Sequence, residues 1–424
     1  MKRLRNFDRG RGVQYARGAL ACACLLVFVC GAWAAGRAGL ARMWAADGAA
    51  HEQAETTTRA VGLSDADAET HFAHACALAA AGQSEDAVVE FARAAQLRPR
   101  DYYLWLELAD AREETGDRAG AHAAFARAIQ LAPYYAQPRW RYGNFLLRAG
   151  QRDEAFAELR RAATSDETLL PALVDLAWGA HEPDAQATLR AVAPETPAAR
   201  LALARFFAAH GQADEALAQF RAGVSDATDD DRRAIVAALL ADAHYAQAYE
   251  VWASAHAHAS SDDIYDGGFE QEIDATEPGF SWRPTQAGAQ VLSFALDARA
   301  PYSGTRSLRL EFAGNFDPNV PVLTQLVPVK PRTRYRLSFA ARTAALVTGG
   351  LPQLSITDAA SQKTLATSTQ LPPGDSAWRA YDFTFETASD TRAIIVGVTR
   401  HPCTANPCPV FGRLWLDAFT LAER

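Results

Sequence analysis

The feature that most constrains this chain is an internal echo at a spacing of 34 residues. Ala75, Gly82, Ala87, Phe91, Ala94 and Pro99 recur as Ala109, Gly116, Ala121, Phe125, Ala128 and Pro133. A second step of 34 reaches Gly143, Gly150, Ala155, Leu159 and Ala162. Each unit reads as helix, glycine turn, helix. The small residues at Ala75, Ala87 and Ala94 let the two helices approach closely, and Phe91 fills the gap to the next unit. Pro99 stops the second helix, because proline has no N–H to continue the ladder. No single unit can bury its apolar face, so the units must stack.

These landmarks resemble the tetratricopeptide repeat, in which tryptophan, leucine, glycine, tyrosine, alanine, phenylalanine and proline recur at fixed places. Trp105 and Leu108 match the first landmarks of the second unit. The first unit has His71 and His74 there, and the third has Arg139 and Tyr142, with Trp140 one place late. Downstream the register slips. A shortened unit surrounds Leu173, Leu176, Trp178, Leu189 and Pro194, and two more follow around Leu203, Gly211, Ala216 and Phe220, then Ile235, Leu239, Ala248 and Trp252. The reading is about six units over residues 64–260. The resemblance implies an α-solenoid whose groove holds a protein partner; the plainer alternative is a spacer. His71, His74 and Cys76 have metal-ligating side chains on one helix, yet the histidines occupy interior landmark slots, where packing is the expected role.

The N-terminus sets the address. Residues 18–36 carry no charge. Nineteen helical residues rise about 28 Å, close to a bilayer's hydrocarbon thickness. Lys2, Arg3, Arg5, Arg9, Arg11 and Arg17 precede the run against the single acid Asp8. We therefore expect a cytoplasmic basic leader (1–17), a single-pass anchor in a bacterial inner membrane (18–41) and a spacer (42–63), with the bulk of the chain periplasmic or otherwise extracytoplasmic. A cleavable signal peptide is the alternative, since Ala32-Trp33-Ala34 has the form of a cleavage site. Cys22, Cys24 and Cys30 lie in the apolar run as small hydrophobes, which leaves Cys76, Cys403 and Cys408 for the exported part. A length of 424 residues predicts two to four domains. A hydrophobic share of 49% excludes a disordered chain, and a net charge of −8 argues against a nucleic-acid partner.

After Ser260 the period changes from helical to alternating. Leu308, Leu310 and Phe312 share one face, as do Tyr335, Leu337 and Phe339, then Tyr381, Phe383 and Phe385, then Ile394, Val396 and Val398. Leu414, Leu416 and Ala418 alternate with Trp415, Asp417 and Phe419. Many short strands with Gly, Pro and Asp turns predict a β-sandwich over residues 262–424. The whole chain is thus multidomain α plus β: transmembrane helix, α-solenoid, β-sandwich.

Gly267-Gly268-Phe269-Glu270, the run from Ser303 to Leu310, Tyr335 to Phe339, Trp378 with Tyr381 and Phe383, and Leu416 to Phe419 occur in an order that resembles the jelly-roll carbohydrate-binding modules of polysaccharide hydrolases. The resemblance implies a structural calcium held by Glu270 and Asp417; a second acid common in that family is Ala418 here. Sugar sites of this kind stack exposed aromatic rings on pyranose faces. The candidates are Trp282, Tyr302, Phe316 and Trp415, while Trp378 reads as core.

Cys403 and Cys408 bracket a tight loop between two expected strands. In an exported domain they are expected to form a disulfide, and a zinc site would have only His401 nearby. The chain carries no nucleophile elbow, phosphate loop or zinc-protease motif. Acids such as Asp262, Asp263, Asp266 and Glu272 crowd the start of the sandwich, where linkers are commonly acidic. The expectation is a non-catalytic, membrane-anchored envelope adaptor, with a protein in the solenoid groove and a polysaccharide or another subunit at the sandwich. Exopolysaccharide assembly or export would suit that pairing. The alternatives are a glycan-binding protein on a stalk and a purely protein–protein scaffold.

Overall fold

The computed structural model describes residues 6–51, 53–256, 259–260, 263–274, 276–286, 292–315, 317–403 and 407–424. They form two compact units, Met1–Leu173 and Val174–Arg424.

The first unit is helical. A long helix, α1 (Asn6–Ala50), precedes α2 (Ala54–Leu63). Three helix pairs follow: α3 (Ala68–Ala80) with α4 (Ser84–Leu97), α5 (Tyr102–Glu114) with α6 (Arg118–Leu131), and α7 (Ala136–Arg148) with α8 (Arg152–Ser165). First helices start at residues 68, 102 and 136 and second helices at 84, 118 and 152, so the 34-residue spacing of the sequence is the spacing of the fold. Ala75, Ala87, Ala94, Ala109, Ala121, Ala128, Ala155 and Ala162 are all buried between helices, with Phe91, Phe125 and Leu159 beside them. Gly143 takes the place of an alanine for a steric reason. A Cβ there would lie 2.6 Å from Leu159 Cγ. Gly82, Gly116 and Gly150 make the turns within the pairs at φ +75°, +81° and +82°, a left-handed conformation that side chains disfavour. Helices α4 and α6 end two residues before Pro99 and Pro133, because the residue before proline is itself pushed out of the helical region.

The segment expected as a spacer is packed helix. Ala41 and Ala45 of α1 are buried, and Ala45 packs with Ala60 and Ala73. Arg42 bonds Asp67, the N-cap of α3, with Nε–Oδ2 at 2.6 Å, and Arg37 donates to the Leu63 carbonyl at 2.7 Å. The Arg42 bond holds the Asp67 carboxyl below its ordinary pKa. Helix α1 thus continues directly into the solenoid. Residues Ala19–Ala50 of α1 are long and apolar enough to cross a membrane.

The second unit begins within α9 (Leu170–Ala180) and continues through α10 (Ala185–Val192), α11 (Pro197–Ala209), α12 (Ala213–Gly223), α13 (Asp229–Ala241) and α14 (Tyr245–Ala253). Among the described residues α3–α14 make six helix pairs. Helix α9 still starts 34 residues after α7, at residue 170, and the last two pairs depart, with α11 and α13 starting at residues 197 and 229. Their shorter helices and connections explain the register slip.

The same unit contains a β-sandwich of two five-stranded antiparallel sheets. One orders β1 (Arg283–Pro284), β4 (Leu323–Pro328), β9 (Ala393–Arg400), β6 (Pro352–Asp358) and β7 (Thr364–Thr367). The other orders β2 (Leu292–Asp297), β3 (Ser307–Asn315), β10 (Pro409–Glu423), β5 (Arg334–Thr348) and β8 (Gly374–Glu386). The core between them is Leu308, Leu310, Phe312, Leu337, Phe339, Val396, Val398, Leu414 and Leu416, the positions marked by alternation. One expected position fails. The pairing of β10 with β5 shifts between Asp417 and Thr420, and Ala418 sits at φ +53°. This bulge turns Phe419, not Ala418, into the core, where its ring lies 4.8 Å from Trp282 and 5.4 Å from Phe339.

Helix α14 packs against the start of the sandwich. Trp252 Nε1 donates to Glu277 Oε2 at 2.6 Å, and the Trp252 ring packs on Tyr265 and Phe280 at 4.8 and 5.5 Å. His256 stacks on Trp252 at 4.0 Å.

Candidate functional site

Two surfaces stand out, one in each unit. In the first unit α5 and α7 face a groove of about 580 Å³ lined by Asp110, Glu113, Glu114, Arg141, Asn144 and Arg148. Helical spacing puts these side chains on one face. Arg141 Nη1 donates to Glu107 Oε1 and to Asp110 Oδ2, both at 2.8 Å. Arg148 grips Glu113 with two bonds of 2.6 and 2.7 Å. Burial pushes the Asp110 carboxyl up to about 6, helped by Glu107 and Glu113 and opposed by Arg141. The groove therefore presents a paired charge ladder with a surplus of acid, suited to a polar or basic chain segment.

In the second unit the outward face of the first sheet forms a trough of about 820 Å³. Alternation turns Leu354 and Ile356 of β6 to the core and Gln353, Ser355 and Thr357 outward. From β4 and β9 come Thr324 and Thr399, with Gly397 between Pro321 and Ser355. A Cβ on Gly397 would lie 3.1 Å from Pro321 Cβ and 3.2 Å from Ser355 Oγ, so glycine keeps the floor clear. Arg283 and Tyr245 stand among the lining residues. Hydroxyls and amides dominate, and no Asp or Glu lines the trough among the described residues. Such a surface can exchange hydrogen bonds with a neutral polyhydroxyl chain. Sequence reasoning that looked for aromatic rings passed over it. The legible signal was a set of outward strand positions that are short, polar and uncharged.

The aromatic candidates scatter. Trp282 is 2% exposed and belongs to the core beside Phe269 and Phe419, so it offers no face to a sugar. Trp415 does point outward from the second sheet, but it is only 6% exposed because Arg342 lies across it, its guanidinium carbon 4.1 Å from the ring centroid. Tyr302 is 48% exposed. Phe316 lies outside the described residues. Trp378 is not core: its ring is half-buried, on the same face as Trp415, 5.8 Å from Tyr302.

Glu270 and Asp417 meet the same loop from two sides. Asp417, fully buried, accepts from the Tyr302, Ser303 and Ala418 N–H groups at 2.8, 3.0 and 2.6 Å and from Ser303 Oγ at 3.1 Å. Glu270 accepts from the Thr305 and Arg306 N–H groups at 2.7 and 3.2 Å and from Thr305 Oγ1. These bonds, the Thr305 hydroxyl first, hold the Glu270 carboxyl below its ordinary pKa. Arg306 also donates to the Glu270 carbonyl and to Glu272. Calcium needs free carboxylate and carbonyl oxygens, and these are engaged by N–H and O–H donors, with a guanidinium alongside. The residues do not fit the ion. Among the described residues no group of three His, Cys, Asp or Glu side chains gathers as a metal site.

Cys403 and Cys408 are bonded to each other, with Cα atoms 6.0 Å apart. Arg400, 2% exposed, lies beneath them and donates to the Gly350 and Cys408 carbonyls at 3.0 and 2.9 Å. His71 and His74 are buried in unlike settings. His71 meets Glu90 at 2.5 Å and the Asp65 carbonyl at 2.9 Å, whereas His74 meets Thr57 at 2.9 Å, and burial lowers its pKa.

No protein-family model and no curated protein matches the chain. Solved structures similar to parts of it include tetratricopeptide-repeat proteins and carbohydrate-binding modules. YrrB, described as a TPR protein with an unusual peptide-binding site, is 19% identical over 48% of this chain and 91% of its own, with a TM-score of 0.26. The CBM4 module is 14% identical over 38% of this chain and 99% of its own, with a TM-score of 0.28. The CBM22-1 xylan-binding domain of Paenibacillus barcinonensis Xyn10C is 13% identical over 38% of this chain and 94% of its own, at 0.27.

Proposed function

We propose that this chain is a non-catalytic adaptor anchored in a bacterial inner membrane by α1, with its N-terminus cytoplasmic and its solenoid and sandwich outside the cytoplasm. The basic leader before an apolar run supports that orientation. The solenoid groove holds a segment of a protein partner, and the sandwich contacts a glycan. Exopolysaccharide assembly or export is the setting that joins the two.

The observation that carries the glycan reading is the hydroxyl- and amide-rich trough of about 820 Å³, whose lining residues also include Arg283 and Arg400. Hydrolysis of a glycosidic bond commonly uses two carboxylates across the scissile bond, and the described residues of the trough lining include none. The charge ladder of Arg141, Glu107 and Asp110 supports the protein-binding role.

The test is affinity electrophoresis of the full chain in detergent through gels containing neutral polysaccharides, hydroxyethylcellulose and xylan. Retardation that is lost on combined Gln353→Ala and Thr399→Ala replacement supports the reading. Unretarded migration of the folded chain would leave the protein–protein scaffold.

A further inference from the structure

The outward face of the second sheet holds an arrangement that the trough does not use. Trp415 and Trp378 are each pinned by their indole N–H. Trp415 Nε1 donates to Asp297 Oδ2 and Trp378 Nε1 to the Ala300 carbonyl, both at 2.9 Å. The Arg342 guanidinium lies against both rings, its carbon 4.1 Å from the Trp415 centroid and 5.4 Å from that of Trp378. Indole faces hold a cation by their quadrupole without engaging its N–H edge. Among the described residues no carboxylate pairs with Arg342, and its Nε is buried without an acceptor. Exposed Arg413 adds a second cation 6.0 Å from the Trp415 ring, again without a carboxylate partner. Arg309 is shared between Asp297 and Glu311 at 3.8 and 4.0 Å. Arg299 is exposed in the loop after β2. Arg342, Arg413 and Arg309 thus share this face with Asp297 and Glu311, in a chain whose net charge is −8.

An exposed ring stands against the same Trp378 indole. Tyr302 packs 5.8 Å from Trp378, and its backbone N–H is tied to Asp417 at 2.8 Å. The loop that carries the ring is therefore held from below.

We propose that this face binds an acidic polysaccharide. A uronate ring stacks on Tyr302 and Trp378, and its carboxylate takes the free N–H groups of Arg342, with Arg413 drawing the neighbouring charge. A planar guanidinium fixed in place matches a carboxylate bidentately and loses little freedom on binding. An acidic peptide would satisfy the charge but gives the exposed ring no pyranose face to cover. The site is separate from the trough, so the two stand or fall independently.

The test uses the full chain in detergent and three gel-embedded probes: polygalacturonate, its fully methyl-esterified form and polyglutamate. Esterification removes the charge and keeps the ring; polyglutamate keeps the charge and removes the ring. In the Gln353→Ala, Thr399→Ala chain, which removes the trough's own binding, the expected result is retardation by polygalacturonate alone, weakened at least about tenfold by Arg342→Met. Methionine still covers Trp415, so the packing survives while the charge is lost. Tyr302→Ala, at an exposed position, should weaken binding without touching the core. The Gln353→Ala, Thr399→Ala chain should bind polygalacturonate as before. Equal retardation by polyglutamate, undiminished binding by Arg342→Met, or free migration of the unaltered chain in polygalacturonate would each overturn the proposal.

Discussion

Arg141 follows Glu107 by one 34-residue repeat and donates to it at 2.8 Å. The same slot of two consecutive repeats carries opposite charges, and stacking brings them together. Glu114 and Arg148 share a slot in the same way, and Arg148 closes on Glu113 next to it. The repeat therefore orders the charges of the groove as well as its core.

Asp110 should make stability depend on pH. Its folded pKa, about 6, lies above the ordinary aspartate value near 4. Between those values the folded state binds the proton that the unfolded state has lost, so stability falls as pH rises from about 4 to about 6. Above that window the cost is constant. Denaturant unfolding of Asp110→Asn at pH 4, 5, 6 and 7 should show this contribution removed. Parallel profiles for the two chains would count against the burial of Asp110.

Gly143→Ala should destabilise the solenoid by about 1–3 kcal/mol through overpacking on Leu159. Leu159→Ala in the same chain should relieve the clash while opening a small cavity of its own. Unfolding midpoints of the single and double variants separate the two effects, which should be strongly non-additive.

The loop at residues 302–306 should not depend on calcium, since its carboxylates are engaged by protein donors. Melting of the full chain should be the same in chelator and in millimolar calcium. Asp417→Ala should lower the melting temperature, because it leaves the Tyr302, Ser303 and Ala418 N–H groups without their acceptor, at a total cost on the order of 1–3 kcal/mol. A rise in melting temperature on adding calcium would show that the ion displaces these bonds.

In the folded protein Cys403 and Cys408 should resist alkylation until they are reduced, while Cys76 reacts once the chain is unfolded. The closed loop is short, so its loss should cost on the order of 2 kcal/mol. Peptide mass mapping before and after reduction reads this directly.

Much of the architecture was legible because it rests on local periodicity. Helix starts at residues 68, 102 and 136 follow from the alanine and glycine slots, and the sandwich core follows from alternation at Leu308, Leu310, Leu337 and Phe339. What was not legible depends on partners distant in sequence. Trp282 and Trp415 look alike as letters, yet one is sealed by Phe419 and the other covered by Arg342. Trp378 reads as core from its neighbours, but the register shifts in the β5–β8 pairing carry it to the outward face. The bulge at Ala418 broke a pattern that had held up to Asp417. The continuation of α1 into the solenoid rests on Arg42 meeting Asp67, a pairing that composition does not announce.

The central claim is that the sandwich meets a glycan in its trough. Hydrogen–deuterium exchange of the full chain, with and without a neutral polysaccharide, tests it most directly. Slowed exchange is expected in the strands that floor the trough, at residues 353–357 and 395–399, with the α5–α7 groove unchanged. Unaltered exchange in both strands at saturating polysaccharide would contradict it.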